Sequence, residues 1–294
     1  MSGRCLALLM LVAVCGCRAA VDPPAAPRGA IPAPATEYLV KEGRVVNGLV
    51  AVRAEMPPGL HERRPVVVTL LGNPHELVAA GFIAVSYEVN WNRLRGVPTP
   101  TANTVGSWVL ASPSADVLGQ AYLRDVARNA EIVTPVLDWV ATLPEADMAH
   151  VGIAGASTHG FAALQAAASD QRLRAAVAIA ACGDYHGFLR DSSMGVAGQP
   201  LALAPAYEEW LQAQEVVRHP DRLVHAAVLM INRAGDRVIP IGCADETARA
   251  LREAYARAGA SERFEYVRLD DEGHGLGPAE RQAAFDWLRR WLQP

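Results

Sequence analysis

A chain of 294 residues that is 51% hydrophobic and 20% charged carries enough apolar side chains for a large core, which excludes wholesale disorder. Its formal charge of −4, from 27 Lys and Arg against 31 Asp and Glu, gives no generally basic surface, so no nucleic-acid partner is expected. Five cysteines are too sparse for a disulfide scaffold, and the length suits one large domain with a small insertion.

Residues 1–17 place Arg4 before an apolar run from Cys5 to Cys15, followed by Gly16 and Cys17. The run is too short to span a bilayer as a stable helix and fits an export signal. Val14 to Cys17 reads VCGC and resembles the lipobox of bacterial lipoproteins, which implies lipidation of Cys17 and membrane attachment through it. Simple secretion is the alternative. Residues 18–36 contain prolines at 23, 24, 27, 32 and 34, and a ring that fixes φ and lacks an amide donor makes this an extended spacer. The folded domain is therefore expected over residues 37–294.

From Tyr38 to Glu55 apolar and polar residues alternate as in a hairpin or meander, with turn chemistry at Glu42-Gly43 and Asn47-Gly48. Pro65 to Leu71 and Phe82 to Tyr87 are short β-branched runs without alternation, the pattern of strands covered on both faces of a parallel sheet. Ala121 to Leu143 has apolar residues at helical spacing, with Pro135 placed to kink or divide it. Next come a strand at Val151–Ala154, a helix over Phe161–Ala168 and a strand over Leu173–Ala181. Residues 183–225 are polar and irregular apart from Tyr207, Trp210 and Leu211 at helical spacing, and are the place for a small lid. A strand (Ala226–Ile231), a helix from about Ala244 to Ala258, a strand (Phe264–Leu269) and a helix (Pro278–Leu292) finish the chain. Strands alternating with helices predict a doubly wound α/β sheet with right-handed crossovers.

In open α/β sheets ligands bind beyond the carboxyl ends of the strands. Three segments at such ends carry chemistry: Gly155-Ala-Ser157-Thr-His-Gly160, Gly235-Asp236-Arg-Val-Ile-Pro240 and Asp271-Glu-Gly-His274-Gly275. A serine hydroxyl is a poor nucleophile at neutral pH. It needs an imidazole to take its proton and a carboxylate to fix the imidazole tautomer, and Ser157, His274 and Asp236 supply those groups. Asp270 or Asp271, which flank His274, is the alternative carboxylate.

This order of elements and motifs resembles the α/β-hydrolase superfamily from about Val45 to Trp291. The stretch from Asp125 to Gly160 is most similar to its bacterial serine esterases and to prolyl-oligopeptidase-type and dienelactone-hydrolase-like members. The resemblance implies a mostly parallel eight-stranded sheet flanked by helices, with Ser157 as nucleophile, Asp236 as acid and His274 as base. Two departures stand out. The family elbow is usually GxSxG, whereas here His159 takes the place of the second glycine and Gly160 follows. His159 then either points toward a neighbouring strand as a hydrogen-bonded side chain or lines the substrate pocket; an elbow strained into silence is a third reading. The turn after the first buried strand, Leu71-Gly72-Asn73-Pro74-His75, lacks the family's leading His. The expected oxyanion donors are the Thr158 amide, following the nucleophile, together with an amide at Gly72 or Asn73, with the Asn73 side chain in reserve.

Trp108 and Tyr207 stand in the two stretches, 97–119 and 183–225, expected to wall the substrate pocket. Cys182 and Cys243 each follow a strand at the expected active-site edge, leaving a disulfide between them open in an exported chain. No Cys/His spacing suggests zinc, and neither a metal nor an organic cofactor is expected. The expected activity is hydrolysis of small carboxylic esters through an acyl-enzyme. Peptidases of the resembling type normally add a large propeller, for which this length leaves no room; peptide, thioester or lactone cleavage remains the alternative. A non-catalytic envelope lipoprotein that uses the fold for binding is the alternative of a different class.

Overall fold

The computed structural model describes residues 37–71, 74–89, 115–196 and 199–293. One sheet contains β1 (Leu39–Val45), β2 (Val50–Met56), β3 (Arg64–Leu70), β4 (Ile83–Val89), β5 (Ala146–Ala156), β6 (Leu173–Ile179), β7 (Ala227–Gly235) and β8 (Phe264–Glu272). Their order is β1-β2-β4-β3-β5-β6-β7-β8. The β1-β2 and β2-β4 pairs are antiparallel, and every pair from β4 to β8 is parallel. This is the mostly parallel eight-stranded α/β-hydrolase architecture.

The helices among the described residues are α1 (His75–Ala79), α2 (Ala115–Val140), α3 (Thr158–Ser169), α4 (Tyr185–Asp191), α5 (Pro205–Gln214), α6 (Ile241–Arg257) and α7 (Pro278–Leu292). Successive strand residues face opposite sides of a sheet, so two glycines of β5 locate the layers. A Cβ on Gly152 would lie 2.7 Å from Leu292 and 3.2 Å from Leu288 of α7, whereas one on Gly155, an odd number of residues later, would strike the His159 carbonyl of α3. Helices α3 and α7 therefore cover opposite faces. Helix α1 joins α7, because the Gln293 side chain donates to the Ala80 carbonyl over 2.7 Å. Helix α2 joins α3 through Tyr122 and Phe161.

Burial explains the unalternating runs. Val66, Val67 and Val68 of β3 are all fully buried, as are Ala175, Ala176, Val177 and Ala178 of β6, since helices cover these central strands on both sides. Leaving such a run half exposed would cost roughly 1.5–3 kcal/mol for each large apolar side chain.

Local expectations fare differently. The first hairpin turns at Val46, Asn47 and Gly48, all with positive φ, and Gly48 N–H closes it on the Val45 carbonyl over 3.1 Å. Glu42-Gly43 is not a turn but lies inside β1; Gly43 is there because a Cβ would collide with the indole of Trp139 from α2. Pro135 does not divide its helix, and α2 runs through it. Residues 183–225 fold into α4, α5 and two 3₁₀ turns, Val216–Arg218 and Pro220–Leu223, between β6 and β7. The short helix α1 was not foreseen, since five residues carry no readable period.

Candidate active site

The turn from β5 into α3 places Ser157 at φ 54° and ψ −126°, a left-handed backbone that costs a non-glycine residue on the order of 1–3 kcal/mol. Neighbouring bonds hold it there. Ser157 N–H donates to the Ile179 carbonyl of β6 over 2.9 Å, and the Ser157 carbonyl accepts from Gly160 and Phe161 N–H at 2.8 and 3.1 Å. The helix begins at Thr158, and first-turn amides have no intrahelical acceptor, so the Thr158 N–H is left beside the nucleophile.

Gly160 accounts for the altered elbow. A Cβ there would lie 2.8 Å from the Ile179 carbonyl and 2.9 Å from the Ala181 side chain, so the close approach of helix to strand falls at residue 160. His159 is thereby released from the need to be small. Burial pushes its imidazole pKa below the usual value, and it has no hydrogen-bond partner among the described residues.

The other two groups meet because β7 and β8 stay paired to their ends. Gly235 lies opposite Glu272, and a Cβ on Gly235 would sit 2.9 Å from the Glu272 Cα. Asp236 and His274 leave those ends one and two residues later, with Gly273 at φ 105° making the bend before His274. The His274 Nδ1 lies 2.8 Å from Asp236 Oδ2, and its Nε2 lies 2.9 Å from Ser157 Oγ. Asp236 Oδ1 accepts the Val238 and Ile239 amides at 2.8 and 3.0 Å. Burial alone would raise the Asp236 carboxyl, but the hydrogen bonds from His274 and these two amides outweigh it and hold the group below the usual carboxylate range.

Asp271 is not the partner of His274. It pairs with Arg233, whose guanidinium also reaches the buried Glu280 at the start of α7. One arginine at the end of β7 thus ties down both ends of the loop that carries His274. That clamp gave no sequence signal, because its members belong to three different elements.

Tyr207 is buried in α5; its hydroxyl donates to the Gln120 carbonyl over 3.1 Å and its ring lies beside Trp210. Cys182 and Cys243 form a disulfide with their Cα atoms 5.7 Å apart, joining the segment after β6 to the first turn of α6. Thr247 reinforces that junction by accepting Gly183 and Asp184 N–H. Gly72, Asn73, Trp108 and Cys17 lie outside the described residues. Among the described residues no group of three His, Cys, Asp or Glu side chains could hold a metal ion.

Solved structures share this fold at low identity. A puromycin-hydrolyzing peptidase of Mycobacterium tuberculosis superposes with a TM-score of 0.60 at 18% identity, over 87% of this chain and 39% of that one. For Pyrococcus horikoshii acylaminoacyl peptidase the values are 0.62, 16%, 87% and 42%. TT1662 from Thermus thermophilus gives 0.59 at 19% identity, with 87% of this chain and 99% of that chain covered. The chain spans about two fifths of the length of the two peptidases. No curated protein matches it. The sequence profile of the prolyl oligopeptidase family matches residues 120–294, the portion that carries Ser157, Asp236 and His274. With more than half of its length so matched, the chain belongs to the prolyl oligopeptidase family of α/β-hydrolase-fold serine hydrolases.

Proposed function

We propose that this protein hydrolyses carboxylic esters through an acyl-enzyme formed on Ser157. The observation that carries the reading is the continuous hydrogen-bonded chain from Asp236 through His274 to Ser157 Oγ. In the resting state the serine O–H donates to His274 Nε2 while His274 Nδ1–H donates to Asp236. On attack the proton passes to Nε2, and the Asp236 carboxylate steadies the imidazolium. In this reading the Thr158 N–H binds the oxygen that becomes negative. His274 then gives its proton to the leaving alcohol, and a water molecule repeats the cycle to release the acid.

Peptide or amide cleavage is the second reading, favoured by the family to which the chain belongs and by neighbours described as peptidases. Esters come first on chemical grounds: an alkoxide or phenoxide leaves more readily than an amine, so a site that acylates from amides also acylates from activated esters. A fluorophosphonate probe and paired panels of p-nitrophenyl esters and aminoacyl anilides test both. Labelling and ester turnover that vanish in Ser157→Ala are expected. A kcat/KM for the anilides that matches or exceeds that for the esters would move the assignment to a peptidase, and a wild-type protein that neither labels nor turns over would make it a binding protein. We also propose attachment to a membrane through a lipid on Cys17, supported by the VCGC sequence.

A further inference from the structure

The two ends of the sheet differ in charge. Leu39 pairs with Met56 and Glu55 with Ala84, so the chain enters the domain at the end where the parallel strands begin, opposite the catalytic loops. At that end Arg64 opens β3, Arg174 is the second residue of β6, Arg222 lies in the 3₁₀ turn before β7, and Arg263 directly precedes β8. Across the strand order β3-β5-β6-β7-β8 this row covers four strand spacings, roughly 19 Å. Arg290 joins it from the last turn of α7, where the next residue but two, Gln293, is bonded to Ala80 just ahead of β4.

Arg64, Arg174, Arg222 and Arg290 are exposed, and none of them pairs with a carboxylate among the described residues. Most acids of these loops are already engaged: Glu145 by Lys41, Asp147 by His150, Asp170 by Arg172 and Asp221 by Arg257. Glu262 stays 4.0 Å from Arg263, and Glu62 is exposed. Two of the cations lie over the half-buried Trp291, the Arg263 guanidinium 5.8 Å and the Arg290 guanidinium 5.2 Å from its ring centroid. The indole holds both groups at the surface, which lowers the entropy lost when they bind an anion. The catalytic end has the opposite character, with Asp270 and Glu272 exposed just before His274.

We propose that this end of the sheet is a docking face for the headgroups of an anionic phospholipid bilayer, seating the domain with its catalytic loops turned away from the membrane. This rests on the attachment read from Cys17, which brings the domain to a bilayer, and not on the acyl-enzyme reading. The spacer of residues 18–36 reaches about 60 Å when extended, too far to fix an orientation by itself. Charge then decides which face meets the lipid. Arginine suits the task because its planar fork binds two phosphate oxygens at once, and each cation near an anionic surface adds on the order of fivefold to affinity.

The test takes the unlipidated full chain, Cys17→Ser, as parent and measures its sedimentation with vesicles of phosphatidylglycerol and phosphatidylcholine in equal parts, against vesicles of phosphatidylcholine alone. Binding to the anionic vesicles that weakens as salt is raised is expected. Adding Arg174→Gln, Arg222→Gln and Arg290→Gln should weaken it about 10²-fold. These side chains are exposed and free of carboxylate partners, so the melting temperature should not move. A matched variant at the catalytic end, Arg44→Gln, Arg190→Gln and Arg237→Gln, should bind nearly as the parent does, because those groups lie more than a Debye length from the docked surface. Two triple variants that bind alike, whether or not both are weakened, overturn the docking face, and so does a parent that binds both kinds of vesicle equally. High salt strips protein held by this face alone, so fractionation of wild type and Cys17→Ser after a high-salt wash reads the lipid anchor separately. A chain that passes the vesicle test but shows no anchor keeps the docking face and loses the attachment reading.

Discussion

At position 236 two carboxylate oxygens have separate duties: Oδ1 holds the Val238 and Ile239 amides and Oδ2 faces His274. In Asp236→Asn the carbonyl oxygen can keep the amides, which turns an NH₂ toward Nδ1 and favours the wrong tautomer. Turnover is expected to fall on the order of 10⁴-fold with an unchanged melting curve. A variant of near-normal activity would mean that another group orients His274. Gly160 behaves differently because its limit is steric. The Ile179 carbonyl 2.8 Å from a Cβ is strand backbone and cannot step aside, so Gly160→Ala should push α3 away from β6. Both melting temperature and labelling rate are expected to drop, whereas an alanine variant as stable as wild type would show that the helix moves freely.

Among the elements, the insertion between β6 and β7 is held by charge. His186 of α4 pairs with Glu208 of α5 over 2.9 Å and with the buried Glu215 over 2.7 Å, and Arg218 also reaches Glu215 over 2.7 Å. The hydrogen bond to Glu215 outweighs burial and, with Glu208, raises the His186 pKa from 6.5 to about 9. A group whose pKa is raised on folding contributes its full stability below the unfolded value and loses it as pH climbs through the folded one. The contribution of His186 is therefore complete below about pH 6.5 and fades as pH passes about 9. Wild-type melting temperature should decline between pH 7 and 10 more steeply than that of His186→Gln. Parallel curves for the two proteins would refute this assignment.

For the whole molecule, the Cys182–Cys243 bridge spans a sequence separation of 61 residues. Loop-closure entropy gives such a link up to about 4 kcal/mol against the unfolded chain. It also joins the segment after β6 to the helix after the Asp236 loop, so two strand ends of the site become one unit. The double variant Cys182→Ala, Cys243→Ala should unfold at lower urea concentration than wild type, and dithiothreitol should shift only the wild-type midpoint. Equal midpoints would leave the bridge without a stabilising role. The N-terminal tether is tested by Cys17→Ser, which should move the protein from the membrane to the soluble fraction; unchanged fractionation would end the anchoring proposal.

Much of this protein can be read along the chain. Periods of two and of 3.6 residues, unalternating valine and alanine runs and turn residues report on local backbone and burial, and they yield the strands, the helices and the order Ser157, Asp236, His274. Each of those residues stands next to a strand end, where a short motif is visible. What stays hidden depends on distances between residues far apart in sequence. Gly43 resembles a turn glycine until Trp139 lies against it, and His159 resembles a broken elbow until Gly160 is seen touching β6. The choice of Asp236 over Asp271 and the clamp at Arg233 likewise follow from which strands are neighbours and which helix covers them. Pairing and packing across the sheet set those contacts, and a local pattern holds no record of either.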